Sequence, residues 1–152
     1  LSDHWLDQLM RGEAGEPPAH IRAFKFDTTL KVLRWAPGEV DCAWTLQPEH
    51  CTPLGFAFGG FLACVVDQVS VFTMESEAVD GMVHLTQDLR LTYFRPMRAG
   101  VTFKVEGRRL NRSRTGAAIE IGVRDPAGKL CCKALMLETL RPLSEFPALS
   151  AP

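Results

Sequence analysis

The chain has 152 residues, of which 46% are hydrophobic, and a formal net charge of -1. That is enough apolar residue for one folded core and too much for a disordered chain. The near-neutral balance supplies no global field for nucleic acid or an anionic membrane surface, and no apolar run approaches the roughly 20 residues that span a bilayer.

Residues 2–11 read as a short helix. Ser2 can cap it, Trp5, Leu6, Leu9 and Met10 share one face, and Gly12 follows its end. Its acids do not fit the basic-then-apolar order of a signal peptide. "GEAGEPP" (12–18) reads as a linker, so residues 1–20 form a helix and linker ahead of one domain over 21–140. "LKVLRW" and "EVDCAWTL" flank "APG", a hairpin signal, and Val40, Cys42, Trp44 and Leu46 alternate with more polar neighbours.

The period changes after Gly60. Phe61, Leu62, Val65, Val69 and Phe72 fit one helical face up to about residue 76. Ala63, Cys64, Val66 and Val71 make the remaining sides apolar, which predicts a helix buried nearly all round. Its valines are poor helix formers, so packing must hold it. Four more strands follow: "HLTQDLRLTYF", "VTFKVEGRRL", "AAIEIGVR" and, after the turn "DPAG", "LCCKALMLETL". The Pro-rich tail "RPLSEFPALSAP" (141–152) reads as extended or disordered. The expected class is α+β: an antiparallel sheet with one long helix on one face, leaving apolar surface for an oligomer to cover.

Five cysteines, Cys42, Cys51, Cys64, Cys131 and Cys132, form no Cys-x-x-Cys pair and read as reduced thiols of a cytoplasmic protein. The four histidines have no ligand spacing, so no metal is expected. No Gly-x-Ser-x-Gly elbow marks a serine hydrolase, and Cys51 beside His50 is not evidence of a cysteine nucleophile.

Asp67 is the anomaly. It sits in the apolar helix, and its i±3 and i±4 neighbours, Ala63, Cys64, Ser70 and Val71, offer no cation. Burial makes a carboxylate a stronger base, which suits general-base chemistry. A hydrogen bond to Ser70, Gln68 or backbone, or exposure at the helix edge, would also account for it. Gly59 and Gly60 stand where the helix starts, where backbone N–H groups lack intrahelical acceptors and favour a developing negative charge. Arg108, Arg109, Arg112 and Arg114 in "RRLNRSR" fit either a solvated turn or a phosphate-binding cluster. Phe56, Phe58, Phe61 and Phe72 fit either the core or an acyl pocket.

Gly55-x-x-x-Gly59-Gly60, six residues, Asp67, and then "DLRLTYFRP" resembles the hotdog-fold thioesterases of the phenylacetate-degradation (PaaI-like) and 4-hydroxybenzoyl-CoA thioesterase group. The resemblance covers roughly residues 28–140. It implies a sheet wrapped around the long helix and dimers that pair into tetramers, with active sites at the dimer interface. It implies an acyl-CoA substrate, so that coenzyme A is part of the substrate and no separate cofactor is needed. By the same resemblance Asp67 is the general base or nucleophile. The Gly59 N–H polarises the thioester carbonyl, and Thr86 helps place the water. Thr52, Phe58 and Gly60 would border the substrate, and Arg112 and Arg114 would face coenzyme A phosphates. Two positions depart from the family pattern: Phe58 stands where histidine is usual, and Thr52 where many members have asparagine. Thr52 can still hydrogen-bond and Phe58 cannot, which implies an altered pocket or reduced activity. A non-catalytic hotdog protein that binds acyl-CoA or a partner is therefore the competing expectation. A hotdog hydratase or dehydratase is less favoured, because no histidine lies between residues 51 and 83.

Overall fold

The computed structural model describes residues 3–146. Three short helices come first: α1 (Trp5–Arg11), α2 (Ala19–Ala23) and α3 (Phe26–Thr29). The strands β1 (Leu30–Ala36) and β2 (Glu39–Thr45) precede the long helix α4 (Gly59–Glu75). Then come β3 (Met82–Tyr93), β4 (Thr102–Arg112), β5 (Gly116–Arg124) and β6 (Leu130–Pro142). The six strands form one sheet in the order β1-β2-β4-β5-β6-β3, with every neighbouring pair antiparallel.

Alternation along the strands decides what faces the helix. Val40, Cys42 and Trp44 of β2, Phe103 and Val105 of β4, Ile119, Ile121 and Val123 of β5, and Cys132, Ala134 and Met136 of β6 are all buried. They enclose Leu62, Val65, Val66 and Val69 of α4. Each fully buried side chain of this kind contributes roughly 1.5–3 kcal/mol, which outweighs the poor helix propensity of the valines. The sheet wrapped on one helix is the hotdog fold that the sequence resemblance implies. The closest approach is at Gly107 of β4, where a Cβ would lie 2.1 Å from Thr73 Oγ1.

Several sequence expectations need correction. Helix α1 starts at Trp5, not at residue 2, because His4 caps it: the Leu6 N–H donates to His4 Nδ1 at 3.2 Å. Ser2 lies outside the described residues. Helices α2 and α3 were not anticipated; α2 follows directly on Pro18, which sets its N-cap. Strand β6 runs into the expected tail as far as Pro142, which pairs with Met82, and a 3-10 turn follows at Leu143–Glu145. Residues 147–152 of that tail lie outside the described residues. Finally, α4 is not buried all round. Ala63, Cys64, Asp67 and Val71 are half-buried and Gly60 is exposed, because the sheet of one chain covers only one side of the helix.

Candidate active site

Asp67 sits on that less covered side, two turns into α4. Its Oδ1 accepts a hydrogen bond from Thr86 Oγ1 at 2.7 Å. No cation reaches it among the described residues, and Ser70, an alternative partner by sequence, turns elsewhere.

Thr86 reaches Asp67 because β3 carries a bulge. Leu89 and Leu91 pack against the core, so by strict alternation Thr86 would share the outward face of Asp88 and Arg90. The register shifts between Thr86 and Asp88: Asp88 pairs with Leu137 and Thr86 with Glu138, which leaves Gln87 as the extra residue. The bulge reverses the parity and turns Thr86 toward the helix.

The start of α4 supplies the second component. The Phe61 and Leu62 N–H groups turn back to Phe58 O, whereas the Gly59 and Gly60 N–H groups have no acceptor among the described residues. Tyr93 Oη donates to Gly59 O at 2.8 Å and ties the end of β3 to the helix start. Beside Gly59 lies a cleft of about 390 Å³, lined by Phe56, Leu62, Tyr93, Phe94, Pro96 and Met97, with Arg95 also on its wall.

The other candidates separate. Phe58 is the N-cap of α4, is 58% exposed and covers Gly60, where a Cβ would lie 2.8 Å from its ring. Thr52 closes the preceding turn through its backbone: its N–H donates to Phe56 O at 2.7 Å and its O accepts from Gly55 N at 2.9 Å. Phe56 lies beneath Arg98 and borders the cleft. Phe61 and Phe72 belong to the core, Phe61 against Phe24, Phe26 and Trp44, and Phe72 against Trp5. His50 stacks on Phe61 with ring centroids 3.6 Å apart, and burial holds its imidazole below the ordinary value. Arg112 is engaged by Glu77 beyond the far end of α4, with Nη1 donating to Glu77 O at 2.7 Å. Arg114 is exposed in the β4–β5 turn.

Sequence reasoning missed the groups behind Thr86. Glu138 is 3% exposed and accepts from Ser70 Oγ at 2.7 Å. His84 stands between Glu75, at 3.1 Å, and Glu138, at 3.8 Å. Burial alone would lower the His84 pKa, but the two facing carboxylates outweigh it and raise it to about 9. The signal was present in β6, where the buried row Cys132, Ala134, Met136 and Leu140 includes an acid at position 138. Among the described residues, no group of three or more His, Cys, Asp or Glu side chains is placed to hold a metal ion, and no helix is long and apolar enough to cross a membrane.

Comparison with known proteins agrees with this geometry. The Thioesterase superfamily model matches residues 54–132. Human acyl-coenzyme A thioesterase 13 is 28% identical over 116 residues, which span 74% of this chain and 82% of that protein. A putative thioesterase related to phenylacetic acid degradation, from Ralstonia eutropha JMP134, superposes with a TM-score of 0.76 at 21% identity, over 89% of this chain and 98% of that one. The smu.793 protein of Streptococcus mutans, solved bound to acetyl CoA, superposes with a TM-score of 0.69 at 20% identity, over 74% of this chain and 89% of that one. With more than half of its length matched by the family model, this chain belongs to the thioesterase superfamily.

Proposed function

We propose that the protein is an acyl-CoA thioesterase that hydrolyses hydrophobic or aryl acyl thioesters to the free acid and coenzyme A. The observation that carries this reading is Asp67, a half-buried carboxylate that no cation reaches among the described residues and that accepts the Thr86 hydroxyl on one oxygen. Its other oxygen is free to take a proton from water as the water attacks the thioester carbon, or to attack that carbon itself. Charge developing on the carbonyl oxygen is met by the Gly59 N–H at the positive end of α4. After base-assisted attack the thiolate of coenzyme A leaves with the proton that Asp67 took; after direct attack the thiolate leaves, solvent protonates it, and water then hydrolyses the Asp67 acyl anhydride to the free acid. The apolar cleft beside Gly59 suits a hydrophobic group. The acyl-CoA class is further supported by the related human acyl-CoA thioesterase and the streptococcal structure with acetyl CoA. Five free thiols suit a reducing, cytoplasmic setting.

Gly59 and Asp67 of one chain do not meet on one substrate. Eight residues of helix separate them by about 12 Å, whereas a carbonyl and its attacking water need both groups within hydrogen-bond reach. The reading therefore pairs the Asp67 and Thr86 of one protomer with the Gly59 of another, in a homodimer or a dimer of dimers. The free edge of β3 and the half-buried side of α4 are the surfaces available for that pairing. Phe58 over the helix start favours the second reading, a hotdog protein that binds acyl-CoA without turning it over. Release of free thiol from short, long and aromatic acyl-CoAs, by wild type beside Asp67→Asn, decides between them. Turnover that depends on Asp67 supports the thioesterase; binding without turnover supports the second reading.

A further inference from the structure

The first turn of α4 is weakly constrained by its own sequence. Its N-cap, Phe58, makes no side-chain capping bond, and the next two residues are both glycine. Glycine leaves the backbone free to turn. Donors aimed at a developing oxyanion work best when they are fixed before the reaction. A contact from outside the helix supplies that constraint. Tyr93, the last residue of β3, donates from Oη to Gly59 O at 2.8 Å. The approach is close, since a Cβ on Gly59 would lie 3.2 Å from Tyr93 Oη. Burial raises the Tyr93 pKa, so the phenol stays a donor at neutral pH.

Gly59 O and the Gly60 N–H are the two ends of one planar peptide unit. Whatever holds the carbonyl also sets the direction of the N–H. The carbonyl is held by Tyr93, and the N–H points the opposite way, out of the helix start beside the Gly59 N–H. Neither N–H has an acceptor among the described residues, and Gly60 is exposed. Donation to the carbonyl oxygen also draws charge from the nitrogen and makes its N–H a stronger donor. Two adjacent N–H groups at a helix start suit one anionic oxygen.

Resting on the thioesterase reading above, we propose that Tyr93 is a positioning residue that fixes and polarises the Gly59–Gly60 peptide, so that the Gly60 N–H joins the Gly59 N–H as a second donor to the thioester oxygen. The interaction strengthens as charge develops on that oxygen, so it acts on kcat more than on KM.

Tyr93→Phe should lower kcat roughly tenfold on the best acyl-CoA substrate, with KM within about twofold. An unchanged kcat, or a rise in KM alone, would overturn the role. A disturbed cleft wall would also slow turnover, so a second readout follows the carbonyl itself. The probe is benzoyl-CoA labelled with 13C at its carbonyl, bound to Asp67→Asn so that it is not consumed. Its infrared carbonyl stretch falls in frequency as hydrogen bonding to the oxygen strengthens. Tyr93 is the only tyrosine in the chain, so expression with 3-fluorotyrosine places a more acidic phenol at this position alone. At about pH 6, where both phenols are protonated, the stretch should be lowest with 3-fluorotyrosine, higher with tyrosine and highest with phenylalanine. Equal frequencies with tyrosine and phenylalanine would overturn the proposal. Should Tyr93→Phe fold poorly, equal frequencies with tyrosine and 3-fluorotyrosine would do so. Asp67→Asn kinetics separate the two levels. A carbonyl stretch that ignores residue 93, with Asp67→Asn inactive, removes only this inference, whereas full turnover by Asp67→Asn removes the underlying mechanism as well.

Discussion

Thr86 hydrogen-bonds to Asp67 at 2.7 Å across the gap between the outermost strand and the central helix, although the two lie 19 residues apart in the chain. The contact fixes one carboxylate oxygen and leaves the other open. Asp67→Asn keeps the volume and the Thr86 bond but removes the base. It should cut turnover by about 10²–10⁴-fold with little change in thermal midpoint. Steady-state kinetics beside a melting curve checks both, and full activity in the variant would reject the mechanism.

The roughly 12 Å between Gly59 and Asp67 makes assembly a condition of activity. Sedimentation at micromolar concentration should show a dimer or larger species, and a well-folded active monomer would contradict a shared site. Mixed dimers sharpen the test. Co-refolding Asp67→Asn with Gly59→Pro, which removes the N–H at the first helical position, where proline fits, should restore about a quarter of wild-type activity. Half of the dimers are then mixed, and each mixed dimer has one site with neither defect.

His84 links stability to alkaline pH. Its folded pKa of about 9 lies above the ordinary 6.5, so the protonated form is favoured in the folded state. The stabilisation is fully present below about pH 6.5 and is lost as pH rises through 9, with an upper bound of about 3 kcal/mol. Urea unfolding between pH 6 and pH 10 should show this loss in wild type and much less of it in His84→Gln. Parallel pH dependences in the two proteins would refute it.

Gly107→Ala tests how tightly α4 is seated. The new Cβ would stand 2.1 Å from Thr73 Oγ1 and 3.2 Å from Val69 Cγ1. Thr73 is tied to the Val69 carbonyl by a 2.8 Å hydrogen bond and is itself buried, so it yields only at a cost. A loss of about 1–3 kcal/mol is expected by chemical denaturation. An unchanged midpoint would mean that the helix shifts freely on the sheet.

The element order was readable because each strand carries its own alternation and α4 its own period. Asp67 and Gly59 were readable because an acid inside an apolar helix and paired glycines at its start are local features. His84 and Glu138 were not singled out, and Ser70 was named only as a partner for Asp67, since their significance comes from three elements meeting in space. Arg112 shows the converse case: the run "RRLNRSR" advertises charge, but nothing local reveals that β4 ends beside Glu77, where the guanidinium is occupied. The half-buried stripe Ala63, Cys64, Asp67 and Val71 was read as buried because composition reports how apolar a helix is, not how many chains are needed to cover it.

Gln87 sets the phase of β3. Upstream of it the even-numbered residues Met82, His84 and Thr86 look inward; downstream the odd-numbered Leu89 and Leu91 do. One residue thus works as a frameshift in facing, with no change in chain direction. Its side chain is exposed and unbonded among the described residues, so its identity should be open to wide substitution. Its presence is not: removing it would put one half of the strand out of phase, either the core leucines or the hydroxyl that Asp67 depends on. Tolerance at this position should therefore divide sharply between replacement and deletion, as at few other surface sites in the chain.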